Sequence, residues 1–232
     1  MKGSLHLIPN ILAEDALQAI PTYLTEVVSK LNIFYVEEIK SARRFLKKLN
    51  RDIVIDNLTF YMLNEHENES LADAKKIWLS GNDIGFISEA GCPSVADPGQ
   101  ELVALAHQNE VKVIPYVGPN SILLALMASG FNGQQFQFLG YLPNKQPFLS
   151  SKIKEMEMES RVKNCTQIFI ETPYRNDQLL AELLKNCSNE TRICVACHLT
   201  GKEEQIISKT VSQWKQMQVS FHKKPAVFLL LG

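Results

Sequence analysis

At 232 residues the chain suits one large domain or two of about 100–150 residues each, and its 45% hydrophobic content supplies a core that a disordered chain lacks. Lys plus Arg total 24 against 25 for Asp plus Glu, so the net charge of -1 excludes a globally basic nucleic-acid binder and leaves only a local patch for such contacts. No apolar run approaches the ~20 residues of a membrane span, and five cysteines, an odd number in apolar surroundings, read as reduced thiols of a cytoplasmic protein.

The N-terminal stretch MKGSLHLIPNILAEDALQAIP opens with a Lys and apolar residues. His6, Pro9 and Asn10 interrupt it and Glu14 and Asp15 follow, which argues against a secretion signal. LHLIP reads as a buried strand, and DALQAIPTYLTEVVSKL carries apolar residues at helical spacing with Pro21 interrupting. IFYVEE is a second strand signal ending in Glu37 and Glu38, and SARRFLKKLN follows as a helix with Ser41 at its N-cap. SLADAKKIWLSGN predicts a helix closed by Gly81, DIGFIS a strand, PGQELVALAHQN a helix and VKVIPY a strand. This alternation predicts a mostly parallel sheet. Gly118 and Pro119 then break the chain and a helix runs to Gly130. QFQFLGYLP, a polar helix around Lys152 to Lys163, TQIFIETP, NDQLLAELLKNC, TRICVACHL and KPAVFLLLG make a second α/β series. The reading is therefore α/β, with one domain over residues 1–116, a second over 117–232 and a boundary near Tyr116.

The segment FISEAGCPSVADPGQELVALA holds nine irregular residues, Glu89 to Asp97, between a strand and a helix. Most such loops have ~2–6, and longer ones tend to be functional. Asp97 at N-cap, Pro98 at N1 and Gln100 at N3 make a capping-box arrangement. The rest of the loop lies at the carboxyl end of a strand, where open α/β sheets bind ligands. Gly91 permits close approach or a positive φ, and Pro93 stiffens the path. No P-loop Lys follows and the G-x-G-x-x-G spacing is absent, which disfavours a phosphate cradle. A backbone-rich site suits a flat, hydrogen-bonding ligand such as adenine, or an amino-acid moiety.

ISEAGCPSVADPG resembles the SDAGTPLISDPG segment of the tetrapyrrole methylase superfamily, most closely in its 16S ribosomal RNA cytidine 2'-O-methyltransferase branch. The likeness continues in order: FYVEEIKSARRFL is similar to IAAEDTRHTRRLL, VIPYVGPNSILLALMASG to VVPLPGPSALIAALAASG, FLGYLPNK to FEGFLPRK, and IFIETPYR to IFYESPHR. The resemblance implies two α/β domains facing each other across a cleft that holds folded S-adenosylmethionine, and a homodimer. It maps cofactor contacts onto Ala90, Gly91, Cys92 and Val95, then Asn120 and Ser121, then Glu171, then Cys197, His198 and Leu199, and finally Pro225 and Ala226.

A sulfonium is already a good methyl donor, so the enzyme mainly aligns a nucleophile and excludes water. A ribose hydroxyl is a weak nucleophile and gains from a general base, worth roughly 10²–10⁴-fold. Glu38, which stands where the branch has Asp, is the favoured base, with Glu171 a second candidate. Arg175 aligns with a family Arg and is a candidate for substrate binding. The helix ARRFLKKLNR sets Arg43 one turn from Lys47 and Arg44 one turn from Lys48, with Arg51 continuing the first row. Such a face neutralises RNA phosphates, or is simply solvated. The match fails in three places. The branch begins PTPIGNLGD where this chain has PNILAEDALQ, its EDTRHTRR has become Glu37-Glu38-Ile39-Lys40-Ser41-Ala42-Arg43-Arg44, and the family ARELTK reads Ala196-Cys197-His198-Leu199-Thr200-Gly201, losing an Arg and a Glu.

CVACH, Cys194 to His198, fits the C-x-x-C-H pattern of haem attachment, but it lies in an apolar strand signal where the two thiols point to opposite faces. No metal site is assigned. His66 between Glu65 and Glu67 faces a comparable HEHNE in the branch and reads as surface or cleft. The leading function is ribose methylation of RNA, most naturally ribosomal. Methylation of a tetrapyrrole or other small molecule stays open, as does a cofactor-binding protein without catalysis, which the lost Arg and Glu motivate.

Overall fold

The computed structural model describes residues 2–63 and 68–232; Glu65, His66 and Glu67 lie outside the described residues. The chain divides into two compact units, one through Asn120 and one from Ser121 onward, where the sequence places the boundary near Tyr116.

The first unit contains strands β1 (Ser4–Ile8), β2 (Ile33–Val36), β3 (Thr59–Met62), β4 (Ile84–Ile87) and β5 (Lys112–Pro115). Its helices are α1 (Leu24–Ser29), α2 (Ile39–Leu49), α3 (Asn68–Leu79) and α4 (Gln100–Gln108). The sheet order is β3-β2-β4-β1-β5 and every neighbouring pair is parallel. Side chains alternate across the pleat. Phe34 and Val36 of β2 join Leu24, Val28, Phe45 and Leu46 on the α1/α2 face, while Tyr35 joins Trp78, Phe86 and Leu102 on the α3/α4 face. Full burial of each such side chain is worth about 1.5–3 kcal/mol, so the two faces together hold the sheet. The chain leaves β1 toward the first face and β4 toward the second. These strands are neighbours, so the switch point of the sheet lies between their carboxyl ends.

Two helix starts differ from the sequence expectation. Helix α2 is capped by Glu38, not Ser41: Glu38 stays extended (φ -140, ψ 123) and its carboxylate accepts from the backbone N–H of Lys40 and Ser41. Helix α4 starts at Gln100 with Gly99 as N-cap, and Asp97 does not cap it. Gly99 has φ +121, and a Cβ there would sit 2.2 Å from Cε1 of Phe86. The chain therefore turns at a glycine, and Asp97 is left to accept from the Ser88 hydroxyl.

The second unit contains β6 (Phe136–Tyr141), β7 (Thr166–Ile170), β8 (Arg192–Cys197), β9 (Gln205–Thr210) and β10 (Ala226–Leu231), with α5 (Ser121–Ser129), α6 (Phe148–Lys163), α7 (Asn176–Asn186) and the short α8 (Val211–Trp214). Its order is β6-β7-β10-β8-β9; only β6 and β7 run parallel. Leu149, Ile153, Met156, Leu179 and Leu183 of α6 and α7 cover one face with Phe169, Phe228 and Trp214. Helix α5 carries no charge and buries Ile122, Ala125 and Leu126. All five cysteines are free; Cys194 and Cys197 are both buried, and burial pushes the Cys194 thiol up to about 12. No helix among the described residues is long and apolar enough to cross a membrane.

Candidate functional site

The loop that leaves β4 is tied to the turn that leaves β1. Asn10 N–H donates to the Gly91 carbonyl at 2.8 Å, and Gly91 N–H returns to the Asn10 carbonyl at 3.2 Å. The buried Asn10 side chain donates to the carbonyls of Ser88 (2.9 Å) and Glu89 (3.0 Å) and accepts from Ile11 N–H at 2.8 Å. Gly91 takes φ +71, and a Cβ there would meet Leu12 Cδ2 at 3.2 Å and the Pro119 carbonyl at 3.4 Å. The Cys92 thiol donates to the Pro119 carbonyl at 3.5 Å and is hydrogen-bonded to the Asn120 side chain. Val95 N–H donates to the Cys92 carbonyl at 3.3 Å, with its side chain exposed. Ala90, Gly91, Cys92, Val95 and Asn120 thus lie around one turn made mostly of main chain.

Asn10 is the residue that sequence reasoning misses. Its only signal is its place in PNILAE, after the first strand. Replacing Asn10 with Ala strips partners from two carbonyls and one N–H. An unpaired buried group costs about 1–3 kcal/mol, so we expect about 2–3 kcal/mol of lost stability in urea unfolding, partly offset by water entry.

Four carboxyls stand near this turn, those of Glu37, Glu38, Glu89 and Asp97. Glu37, at the end of β2, accepts from Glu89 N–H at 3.2 Å. Burial first, then the charges of Asp97 and Glu89, raise its pKa to about 7. Burial also raises Asp97, with Glu89 adding to it. Glu38 has the opposite environment: hydrogen bonds from the N–H groups of Lys40 (2.8 Å) and Ser41 (2.6 Å) hold its carboxyl below the usual range. The Ser41 hydroxyl bonds the Glu89 carboxylate.

In the second unit Ser121 opens α5, and Glu171, Cys197, His198, Pro225 and Ala226 gather at one end of the sheet, with Leu199 next to His198. Ala226 lies opposite Cys197 across the β10–β8 ladder, and Val227 opposite Ile170, the residue before Glu171, across β10–β7. His198 N–H donates to the Pro225 carbonyl at 3.1 Å. Glu171 is buried, accepts from Thr172 N–H at 2.7 Å and pairs with Arg175 at 2.9 Å. His198 and Thr200 both take positive φ (49 and 71), so the chain turns sharply past β8. The Thr200 hydroxyl is buried without a partner, as is that of Ser94 in the first unit.

The basic helix divides by face. The Arg43 guanidinium lies 5.2 Å from the centroid of the Phe60 ring, while Arg44, Lys47, Lys48 and Arg51 line open hollows. Among the described residues no group of three His, Cys, Asp or Glu side chains is placed to hold a metal.

A parallel sheet with a main-chain-lined turn at its switch point, followed by a mixed sheet, defines an α/β protein of two sheet units. The chain belongs to the Tetrapyrrole (Corrin/Porphyrin) Methylases, whose family profile matches residues 11–214. Ribosomal RNA small subunit methyltransferase I of Vibrio cholerae is 32% identical over 181 residues, 78% of this chain and 60% of that protein. Its namesake in Halalkalibacterium halodurans is 30% identical over 75% of this chain and 58% of its own length. That of Streptococcus pyogenes serotype M6 is 27% identical over 91% and 70%. The chain thus spans about 60% of the first two relatives. A crystal structure of the methyltransferase CobJ superposes with a TM-score of 0.65 at 15% identity, covering 99% of this chain and 94% of that one, which shows a shared fold.

Proposed function

We propose that the protein is an S-adenosylmethionine-dependent methyltransferase that modifies a ribose 2'-hydroxyl of RNA, with small-subunit ribosomal RNA, the substrate in the relatives' names, as its target. The observation that carries this is the Asn10–Gly91 turn, a doubly hydrogen-bonded main-chain cradle at a sheet switch point. The residues fit the cofactor. Gly91 leaves the cradle open where a side chain would enter it, and the Ser94 and Thr200 hydroxyls lack partners. Ala90, Gly91, Cys92, Val95 and Asn120 of the first unit are the proposed cofactor contacts there, and Ser121, Glu171, Cys197, His198, Leu199, Pro225 and Ala226 are those proposed in the second. Bound there, the cofactor supplies an electrophilic methyl group on a sulfonium.

The chain's own task is to place the hydroxyl and take its proton. The hydroxyl oxygen gains the methyl group and its proton passes to a carboxylate. Glu38 spends both oxygens on a helix cap, so we assign the proton to Glu37, whose pKa of about 7 matches that role. Arg175 acts through the buried Glu171, holding its carboxylate in one orientation. The cationic hollows beside the first-unit turn favour an RNA over a tetrapyrrole ring, for which a closed apolar cavity is wanted. The exposed apolar pair Leu123 and Met127, one turn apart on α5, suits a homodimer contact, and free thiols suit the cytoplasm.

Titration calorimetry with S-adenosylmethionine and its demethylated product is expected to show binding of both. Mass mapping of ribosomal RNA ribose methylation with and without the gene should show one site lost. An unchanged map would remove the ribosomal substrate, and absence of heat would remove the cofactor.

A further inference from the structure

Two hollows adjoin along α2. One, of about 140 Å³, is bounded by Asn10, Glu14, Ser41, Arg44, Lys48 and Glu89 and reaches Ala90 of the proposed cofactor turn. The other, of about 360 Å³, is lined by Leu17, Arg44, Lys47, Lys48 and Arg51. Arg44 and Lys48 belong to both. We infer that the two hollows form a track for a single-stranded RNA segment, with a backbone phosphate clamped between Arg44 and Lys48 and the adjoining sugar directed toward Glu89 and Ala90. This rests on the methyltransferase reading above and names where its substrate enters.

The geometry separates the clamp from a basic helix in general. Arg43 is turned onto Phe60, whereas Arg44, Lys47, Lys48 and Arg51 fall on one face at helical spacing. Lys48 bonds the carboxylate of Glu14, whose side chain is 83% exposed, so an intramolecular anion already occupies the phosphate position. The pairing with Lys48 holds the Glu14 carboxyl below its usual range, with Arg44 adding to it. Exposed pairs of this kind contribute little, so a phosphate displaces Glu14 readily. Arg44 offers a planar fork that matches phosphate oxygens, and Lys48 a point charge. The first hollow falls below the ~300 Å³ of ordinary small-molecule pockets and suits a phosphate with part of its sugar, not a macrocycle. A strand with splayed nucleotides follows two successive hollows as a rigid duplex does not.

The test is fluorescence anisotropy of the full chain and its Arg44→Gln/Lys48→Gln double variant with a single-stranded RNA oligonucleotide at several salt concentrations. Loss of the one clamped phosphate is expected to weaken binding about tenfold and make the log K against log salt slope shallower by about 0.7. Lys30→Gln, just past α1, should change neither, and calorimetric binding of S-adenosylmethionine should be the same in all three proteins. An unchanged slope in the double variant overturns the track while the methyltransferase reading stands, and so does failure of the parent to bind the oligonucleotide. Equal competition by poly-glutamate also overturns it, in favour of an acidic protein partner. Absent heat with S-adenosylmethionine would instead strike the methyltransferase reading.

Discussion

Replacing Glu37 with Gln is expected to slow methyl transfer about 10²–10⁴-fold, the usual contribution of a general base, while making the protein more stable at pH 8. The folded carboxyl titrates near 7 against an ordinary 4.5. Between those values the folded state keeps a proton that the unfolded chain has released, so unfolding free energy falls as pH rises from about 4.5 to 7. Below about 4.5 both states are protonated and the variant should match the parent. Above pH 7 the parent carries the full penalty of a half-buried charge facing Asp97 and Glu89. Solvent screening of this partly exposed group reduces the gain in the variant to about 1–2 kcal/mol. Urea unfolding at pH 4.5 and 8 measures this. Single-turnover rates complete the test: the parent should show a limb rising through about pH 7 as Glu37 loses its proton, and Glu37→Gln should not. Glu38→Ala tests the other carboxylate. It should cost about 1 kcal/mol through the lost cap and keep the limb. Loss of the limb in that variant, and its retention in Glu37→Gln, would return the role to Glu38.

Replacing Gly91 with Ala is the second large effect. At φ +71 an L-residue is strained by about 1–2 kcal/mol. The added Cβ also presses on Leu12 and the Pro119 carbonyl, the two sides of the cradle. Leu12 has to give by a few tenths of an ångström, which disturbs the turn proposed to hold the cofactor. We expect about 10–100-fold weaker binding of S-adenosylmethionine by calorimetry, against a loss of only about 1–2 kcal/mol in urea unfolding. Unaltered affinity beside that loss of stability would show that the turn is structural alone.

Most strands are legible in the amino-acid sequence, and β3 and β9 are the two that the reading passes over. β9 stands at a sheet edge with Gln205, Ser208 and Lys209 exposed and makes no apolar run, whereas β3 carries Phe60, Tyr61 and Met62 and its signal is simply short. β4, by contrast, is buried along its whole length and reads plainly as IGFI. The second sheet's antiparallel pairing is also hidden, because a helix before a strand looks the same whichever neighbour that strand joins. Asp97 misleads for a local reason. Its spacing to Pro98 and Gln100 fits a cap, but Gly99 turns the chain first and Ser88 engages the carboxyl.

Most of the alternation of strands and helices and the turn at Gly91 are legible in the sequence alone, because apolar periodicity and glycine placement are local properties that burial and backbone sterics read directly. Only the tertiary structure decided that Asn10 holds the Gly91 turn, that Glu37 rather than Glu38 sits in a proton-retaining environment, and that Arg44 faces a hollow while Arg43 covers Phe60. Asn10, Glu37 and Arg43 depend on partners brought close by folding from distant positions, whereas Glu38 is held by the N–H groups of Lys40 and Ser41 beside it. The proton affinity of Glu37 belongs to surroundings that no neighbouring residue specifies.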